Sequence, residues 1–159
     1  AEFARLGVMH RNTYVNSPEV LLPTHRLRRA ERIWLAGQLV GVEGYLESAM
    51  SGLVAAVNVA AALSAVPAVE FPADTAIGSL VRYVTTPQSG FAPMNATWGL
   101  FPPLPDPAVR RDKRERARAH LARARASLTA FAAASPFLDA SAVPPDPVDL
   151  PAVPAPAAV

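Results

Sequence analysis

Residues 34–58 read Trp-Leu-Ala-Gly-Gln-Leu-Val-Gly-Val-Glu-Gly-Tyr-Leu-Glu-Ser-Ala-Met-Ser-Gly-Leu-Val-Ala-Ala-Val-Asn. A short apolar run, Ile33 to Ala36, leads into a turn with three glycines, and a helical pattern starts near Tyr45. The run does not alternate, which is typical of a parallel strand covered on both faces. Strand, glycine-bearing turn and helix start together place backbone N–H groups against an anionic or electron-rich ligand. The glycines fall at intervals of four and three, so the turn is predicted to contact a ligand without being the primary dinucleotide fingerprint.

Composition limits the classes of protein that this chain can represent. Its 159 residues are 51% hydrophobic, with a mean hydropathy of +0.19 and a pI of about 9.5, which suits one domain or a piece of a larger one. The absence of cysteine excludes disulfides, thiolate metal sites and a cysteine nucleophile within the chain. The sequence starts Ala-Glu-Phe and shows no signal peptide, so we expect a fragment of a cytoplasmic protein.

The stretch from Ser48 to Val69 has no charged residue and is long enough to cross a bilayer. It consists mostly of Ala and Val, is interrupted by polar residues and Pro67, and is flanked by Glu47 and Glu70 rather than by Lys or Arg. We therefore predict a helix buried in a soluble core and no membrane contact.

Small residues recur every fourth position in this helix, forming a stripe that allows close approach to a sheet or a flat ligand: Ser48, Gly52, Ala56 and Ala60.

Three segments follow from the remaining patterns. Thr75 is placed to cap a helix from Ala76 to about Val84. Asp106-Pro107 predicts the start of a basic helix that runs to about Ala134. From Pro136 onward Pro, Ala and Val dominate without periodicity. The predicted units are residues 1–105, the basic helix 106–135 and a disordered tail 136–159.

Four motifs in one order resemble a known family: Gly-Val-Met-His-Arg-Asn-Thr (7–13), Leu-Ala-Gly-Gln-Leu-Val-Gly-Val-Glu-Gly-Tyr-Leu-Glu-Ser-Ala (35–49), Met-Asn-Ala-Thr-Trp-Gly-Leu (94–100) and Pro-Pro-Leu (102–104). Over roughly residues 3–121 the chain resembles the C-terminal part of the folate- and FAD-dependent tRNA (uracil-5-)-methyltransferases. The resemblance implies an α/β, Rossmann-like FAD-binding fold that is incomplete here. It places the first phosphate loop and the catalytic cysteines upstream of Ala1, so no catalytic residue is assigned in this chain.

In that family methylenetetrahydrofolate supplies a one-carbon unit, reduced FAD supplies electrons and NAD(P)H reduces the flavin; the product is 5-methyluridine in the tRNA T-loop. The implied partners are tRNA and the missing N-terminal half of the same protein. Two alternatives stay open. The first is the related flavoprotein that adds a carboxymethylaminomethyl group to the wobble uridine. The second is a non-catalytic basic binding module derived from the same fold.

The resemblance also implies site residues. Gly37 and Gln38 would approach the FAD ribityl–phosphate region, and residues 41–45 would run along the isoalloxazine, close to the helix start that stabilises its negative charge. The full cofactor set is Gly37, Gln38, Gly41, Val42, Glu43, Gly44, Tyr45, Glu47 and Ser48. The alternative is that the glycines only form a tight turn and that Glu47 only complements the helix dipole.

Two polar clusters complete the prediction. His10, Arg11, Asn12 and Thr13 are candidates for folate or flavin binding, with Arg11 as the anion partner; the alternative is a self-satisfied strand end. The basic helix is a candidate for tRNA phosphates, through Arg110, Arg111, Lys113, Arg114 and Arg118; the alternative is a solvated helix face. Trp98 and Phe101 are interpreted as packing residues; the alternative is that they stack on bases.

Overall fold

A computed structural model describes residues 13–106, 109, 111–135 and 137. Its elements in chain order are α1 (Ser17–Val20), β1 (Arg26–Leu27), β2 (Ala30–Trp34), a 3-10 helix (Gly37–Val40), α2 (Tyr45–Leu63), α3 (Ala76–Thr85), a second 3-10 helix (Trp98–Leu100) and α4 (Lys113–Ala134). Helices and one small sheet therefore form this part of the protein, which is consistent with a piece of a larger FAD-binding domain.

The predicted parallel strand is wrong. β1 and β2 form a two-stranded antiparallel hairpin, with Arg26 opposite Trp34 and Leu27 opposite Ala30. Ile33, expected to be covered on both faces, is 48% exposed. A short apolar run fits a buried parallel strand and a local hairpin equally well, and here the partner lies only a tight turn away in the chain.

α2 starts at Tyr45 as predicted, and its inward face builds the core. Val54 packs with Ile77 and Val81 of α3, while Leu80 and Val84 of α3 join a neighbouring cluster. Asn58 is buried in α2 and fastens the chain beyond the helix: its amide donates to the carbonyls of Val54 (3.0 Å) and Val69 (2.9 Å), and its Oδ1 accepts from the Val69 N–H (2.8 Å).

α2 also has an outward apolar face. Leu46, Leu53 and Leu63 are exposed on it, with Ala49, Ala56 and Ala60 between them in a three–four spacing. Among the described residues α2 is the helix that is long and apolar enough to cross a membrane, but the core helix of a soluble protein meets the same criteria of length and composition. The prediction that this helix is buried therefore holds for one face only.

Two further helix starts were predicted with different success. The Thr75 side chain accepts the Gly78 N–H at 3.0 Å and caps α3, as expected. The predicted start at Asp106-Pro107 is wrong, because α4 begins at Lys113 with Asp112 as its cap. The Asp112 carboxylate accepts the N–H groups of Arg114 and Glu115, both at 2.8 Å, and these bonds hold the pKa of Asp112 below its usual value. The predicted tail lies outside the described residues, apart from Phe137.

Candidate cofactor-binding site

The turn between β2 and α2 depends on glycine at two positions. Gly44 has φ 106° and ψ 157°, a conformation open essentially only to glycine, and a Cβ there would strike the Glu47 carboxylate. Gly41 has φ 82°, and a Cβ there would enter the Phe91 ring. The turn therefore keeps this shape only with glycine at both sites.

The N-terminus of α2 opens directly from this turn. Its cap residue, Gly44, has no side chain to accept a hydrogen bond, and the first α-helical bond runs from the Ser48 N–H to the Gly44 carbonyl (3.0 Å). The preceding N–H groups, of residues 45–47, have no acceptor within the helix. They carry the positive end of a 19-residue helix, which favours a negatively charged ligand atom.

A cavity of about 710 Å³ lies against this helix end. Its lining is Gly37, Gln38, Glu43, Gly44, Tyr45, Ser48 and Asn95. Six of these seven were predicted from the sequence as cofactor contacts. Tyr45 is 99% exposed, so its ring is available to a ligand or to another part of a larger protein. The volume lies within the range of small-molecule and cofactor sites.

Three predicted contact residues do not line the cavity. The Val42 side chain is buried in the core near Leu80, and Gly41 lies beneath Phe91. The Glu47 carboxylate accepts the Ala96 N–H at 3.1 Å, so this carboxylate connects α2 to a distant loop.

The loop around Met94 closes one side of the cavity. Met94 pairs with Val42 in a parallel bridge: its N–H donates to the Gly41 carbonyl (3.2 Å), and its carbonyl accepts the Glu43 N–H (3.1 Å). The Asn95 amide donates to the Glu43 carbonyl at 2.7 Å. The sequence analysis identified the 94–100 motif but gave Asn95 no role. The signal that could have indicated this contact is that the 94–100 and 35–49 motifs occur together in the chain.

Beneath the turn lies a polar chain that the sequence did not reveal. The Gly37 N–H donates to Ser51 Oγ at 3.1 Å, and Ser51 Oγ lies 3.4 Å from Nδ1 of His25. The Gly37 N–H therefore points into the protein, and the N–H groups available to a ligand are those at the α2 start.

His25 itself is 1% exposed and adopts φ 62°. Its Nε2 atom is buried without a hydrogen-bond partner among the described residues. Burial lowers the pKa of His25 to about 4, against a smaller opposing effect of the hydrogen bond with Ser51. The imidazole is therefore neutral at physiological pH.

The residues at this site fit the electron-rich edge of a flavin. Free N–H groups and the helix dipole suit a negative charge at that edge. A Cβ at Gly44 would displace Glu47 and press on Asn95, so glycine here keeps the turn and the helix start in place.

The two other predicted clusters are only partly described. His10, Arg11 and Asn12 lie outside the described residues, and Thr13 is exposed. Arg110 also lies outside them.

The remaining predicted tRNA contacts, Arg111, Lys113, Arg114 and Arg118, are exposed, and Arg118 pairs with Glu115 at 2.8 Å. Arg123, further along α4, instead holds the helix to the body: it donates to the carbonyls of Pro102 (2.6 Å) and Pro103 (3.1 Å).

Comparison with known proteins gives consistent matches. Residues 1–67 match the family model of glucose inhibited division protein A. The protein named methylenetetrahydrofolate–tRNA-(uracil-5-)-methyltransferase TrmFO from Heliobacterium modesticaldum is 52% identical over 134 residues, covering 84% of this chain and 30% of that protein. Proteins of the same name from Lysinibacillus sphaericus (50% over 131 residues, 82% of this chain and 30% of that protein) and Symbiobacterium thermophilum (48% over 143 residues, 87% and 32%) match similarly. The chain thus spans about a third of the length of these relatives.

Proposed function

The chain belongs, over the part that it spans, to the methylenetetrahydrofolate–tRNA-(uracil-5-)-methyltransferase family, and from this premise we propose that it forms one wall of the FAD site of such an enzyme. The observation that carries the proposal is the start of α2, which opens onto a cavity of about 710 Å³ lined by the turn residues. Bound FAD, once reduced, supplies the electrons for methyl transfer.

Each part of the wall has a separate task. The N–H groups of the first turn of α2 stabilise negative charge on the electron-rich edge of the flavin. Gly44 holds the turn in a conformation open essentially only to glycine, and Ser48 lines the same cavity. Asn95 fixes the Glu43 carbonyl (2.7 Å), so the turn is preorganised before ligand binding.

The rest of the activity follows from the family. We propose that the whole protein makes 5-methyluridine in the tRNA T-loop in the cytoplasm, with methylenetetrahydrofolate as carbon donor and NAD(P)H as reductant. The remaining two thirds of a family member would complete a Rossmann-like fold and supply the catalytic cysteines. In this proposal His10, Arg11, Asn12 and Thr13 contact folate or flavin, and the cations Arg110, Arg111, Lys113, Arg114 and Arg118 contact tRNA phosphates.

The test is a chimera. The H. modesticaldum relative carries this chain in place of its 134 aligned residues, and FAD is quantified by absorbance after gel filtration. We expect Gly44→Ala to lower FAD occupancy, because the added Cβ strains the backbone and displaces Glu47.

Gly99→Ala is the matched control, because its Cβ would meet only an ordinary contact with Thr97 Oγ1 at 3.7 Å. Full FAD occupancy in a folded Gly44→Ala chimera would refute the proposal that this turn forms one wall of the FAD site. The nucleoside formed on unmodified tRNA, identified by mass spectrometry, separates the alternatives. A T-loop 5-methyluridine supports the proposal, a modified wobble uridine supports the related flavoprotein, and no product with FAD bound supports the binding module.

A further inference from the structure

A half-exposed tryptophan stands at the start of the second 3-10 helix. The Trp98 ring stacks on His120 of α4, with centroids 5.0 Å apart and planes 20° apart. Phe101 packs against both rings, 5.1 Å from Trp98 and 5.4 Å from His120. Trp98 nevertheless remains 46% exposed. The exposed area therefore lies on the parts of the Trp98 ring that His120 and Phe101 leave uncovered.

The underlying layer is well fixed. His120 is buried, and burial, reinforced by the charges of Arg123 and Arg116, lowers its pKa. The His120 ring is therefore neutral near pH 7, and it packs against the rings of Trp98 and Phe101. Nη2 of Arg123 lies 3.3 Å from Nδ1 of His120. Because Arg123 also donates to the carbonyls of Pro102 and Pro103, it fixes the position of the His120 ring. Trp98 thus packs on His120 and Phe101, as interpreted from the sequence, and still keeps 46% of its surface exposed.

Trp98 also lies close to the cavity described above. Asn95 lines that cavity, and three residues of extended chain span at most about 11 Å. The Cα atom of Trp98 is therefore within about 11 Å of that of Asn95. The cavity end of this loop is anchored by the bonds of Asn95 to Glu43 and of Ala96 to Glu47.

Positive charge borders the exposed ring. Arg116 precedes His120 by one helical turn on the same side of α4, and Lys113 by one turn more. In the described part of this helix start, the salt bridge within 4 Å is that of Arg118 with Glu115, while Asp112 is engaged as the helix cap. The first turns of α4 therefore present excess cationic charge next to an aromatic surface.

We propose that Trp98, together with Lys113 and Arg116, forms a stacking platform for one unpaired base of the tRNA substrate beside the flavin-facing cavity. The proposal rests on the proposed function for the identity of the RNA. Proteins recognise single-stranded RNA loops by stacking unpaired bases on aromatic side chains, and Lys and Arg neutralise the adjacent phosphates. An enzyme that acts on a base in a folded RNA must extract it from the stack. A platform within about 11 Å of the cavity suits a nucleotide next to the reacting one.

The experiment uses the full chain with Trp34→Phe, which leaves Trp98 as the single tryptophan of the two in the sequence. A T-arm RNA hairpin is titrated while Trp98 emission and the anisotropy of the labelled RNA are recorded. We expect the RNA to quench Trp98. We expect Trp98→Ala to weaken binding about tenfold, since stacking of one base contributes about that factor. Trp98→Phe should keep most of the affinity.

Leu121→Ala is the matched control, because Leu121 is also an apolar residue 46% exposed and lies on α4, next to His120. Replacing Lys113 and Arg116 by Gln should reduce the salt dependence of binding by about one unit of slope per lost contact. Equal affinity of Trp98→Ala and Leu121→Ala, with folding verified by circular dichroism, would overturn the proposal. Shielding of Trp98 from acrylamide in the RNA-free chimera would do the same, because another part of the protein would then cover the ring.

Experiments on the chimera can refute the Trp98 platform and the proposed methyltransferase function independently of each other. A chimera that forms 5-methyluridine with an unchanged KM for tRNA after Trp98→Ala would remove the platform and keep the enzyme. RNA quenching of Trp98 in a chimera that forms no 5-methyluridine would keep the platform and remove the enzyme.

Discussion

Acid should destabilise this protein through one histidine. His25 is buried with a pKa of about 4, against 6.5 in the unfolded chain. As the pH falls below 6.5 the unfolded chain binds this proton first, so the free energy of unfolding decreases until the pH reaches about 4. The stability that His25 preserves is thus present above the unfolded pKa and is lost between these two values.

The magnitude follows from the two pKa values. Protonation of the unfolded state alone lowers the free energy of unfolding by about 2 kcal/mol at pH 5, and by about 3 kcal/mol near pH 4. His25→Asn removes the titration, and asparagine tolerates the positive φ of 62° at this position.

The measurement is urea unfolding followed by circular dichroism at about pH 7, 6 and 5. The wild-type chain should lose about 2 kcal/mol more than His25→Asn over this range. His120→Asn is the control: it removes another histidine with a lowered pKa and should keep the loss due to His25. Parallel pH profiles of the wild type and His25→Asn would refute the assignment of a buried, neutral imidazole.

Four further predictions concern the helices and the cofactor. Gly78→Ala should destabilise the protein by about 1–3 kcal/mol, because its Cβ would strike the backbone carbonyl of Pro72. Gly52→Ala, with nothing near its Cβ, should stabilise α2 by about 0.5–1 kcal/mol; equal thermal shifts of the two variants would contradict the packing of α3. Asn58→Ala should cost about 2–4 kcal/mol by leaving the buried Val69 N–H and carbonyl unpaired, and a loss below about 1 kcal/mol in urea unfolding would argue against this clamp. The chain purified alone should show no stable flavin absorbance, since it has no G-x-G-x-x-G phosphate loop; a yellow preparation with near-stoichiometric FAD would disprove this.

Local signals predicted what local chemistry decides. The start of α2 followed from the glycine before Tyr45, and the start of α3 from the hydroxyl of Thr75, because a helix begins where its first N–H groups find a cap or solvent. The same logic failed at α4, where Asp106 and Asp112 both offer a capping carboxylate. The carboxylate of Asp112 accepts two helix N–H groups, and sequence alone does not rank the two positions.

Contacts between residues far apart in the chain could not be predicted from the sequence. Nothing in the order of residues pairs Ser51 with His25, or Asn95 with Glu43, which lie 26 and 52 positions apart. The hairpin was missed for the opposite reason, because its strands are so short that apolar content could not separate it from a buried strand. Six of the seven cavity-lining residues belong to the predicted cofactor set because they all lie within residues 37–48; the seventh, Asn95, comes from another loop.

The outward face of α2 has a consequence for the protein as a solute. Glu47 is the single charged residue of this helix, whereas α4 carries six basic residues and one acid. Colloidal repulsion between molecules therefore comes from α4, while the row of Leu46, Leu53 and Leu63 offers attraction. Concentrated salt screens the electrostatic repulsion between molecules, and a kosmotropic salt also strengthens the attraction between the exposed leucines. We expect the isolated chain to be most soluble in dilute buffer and to come out of solution early in ammonium sulfate.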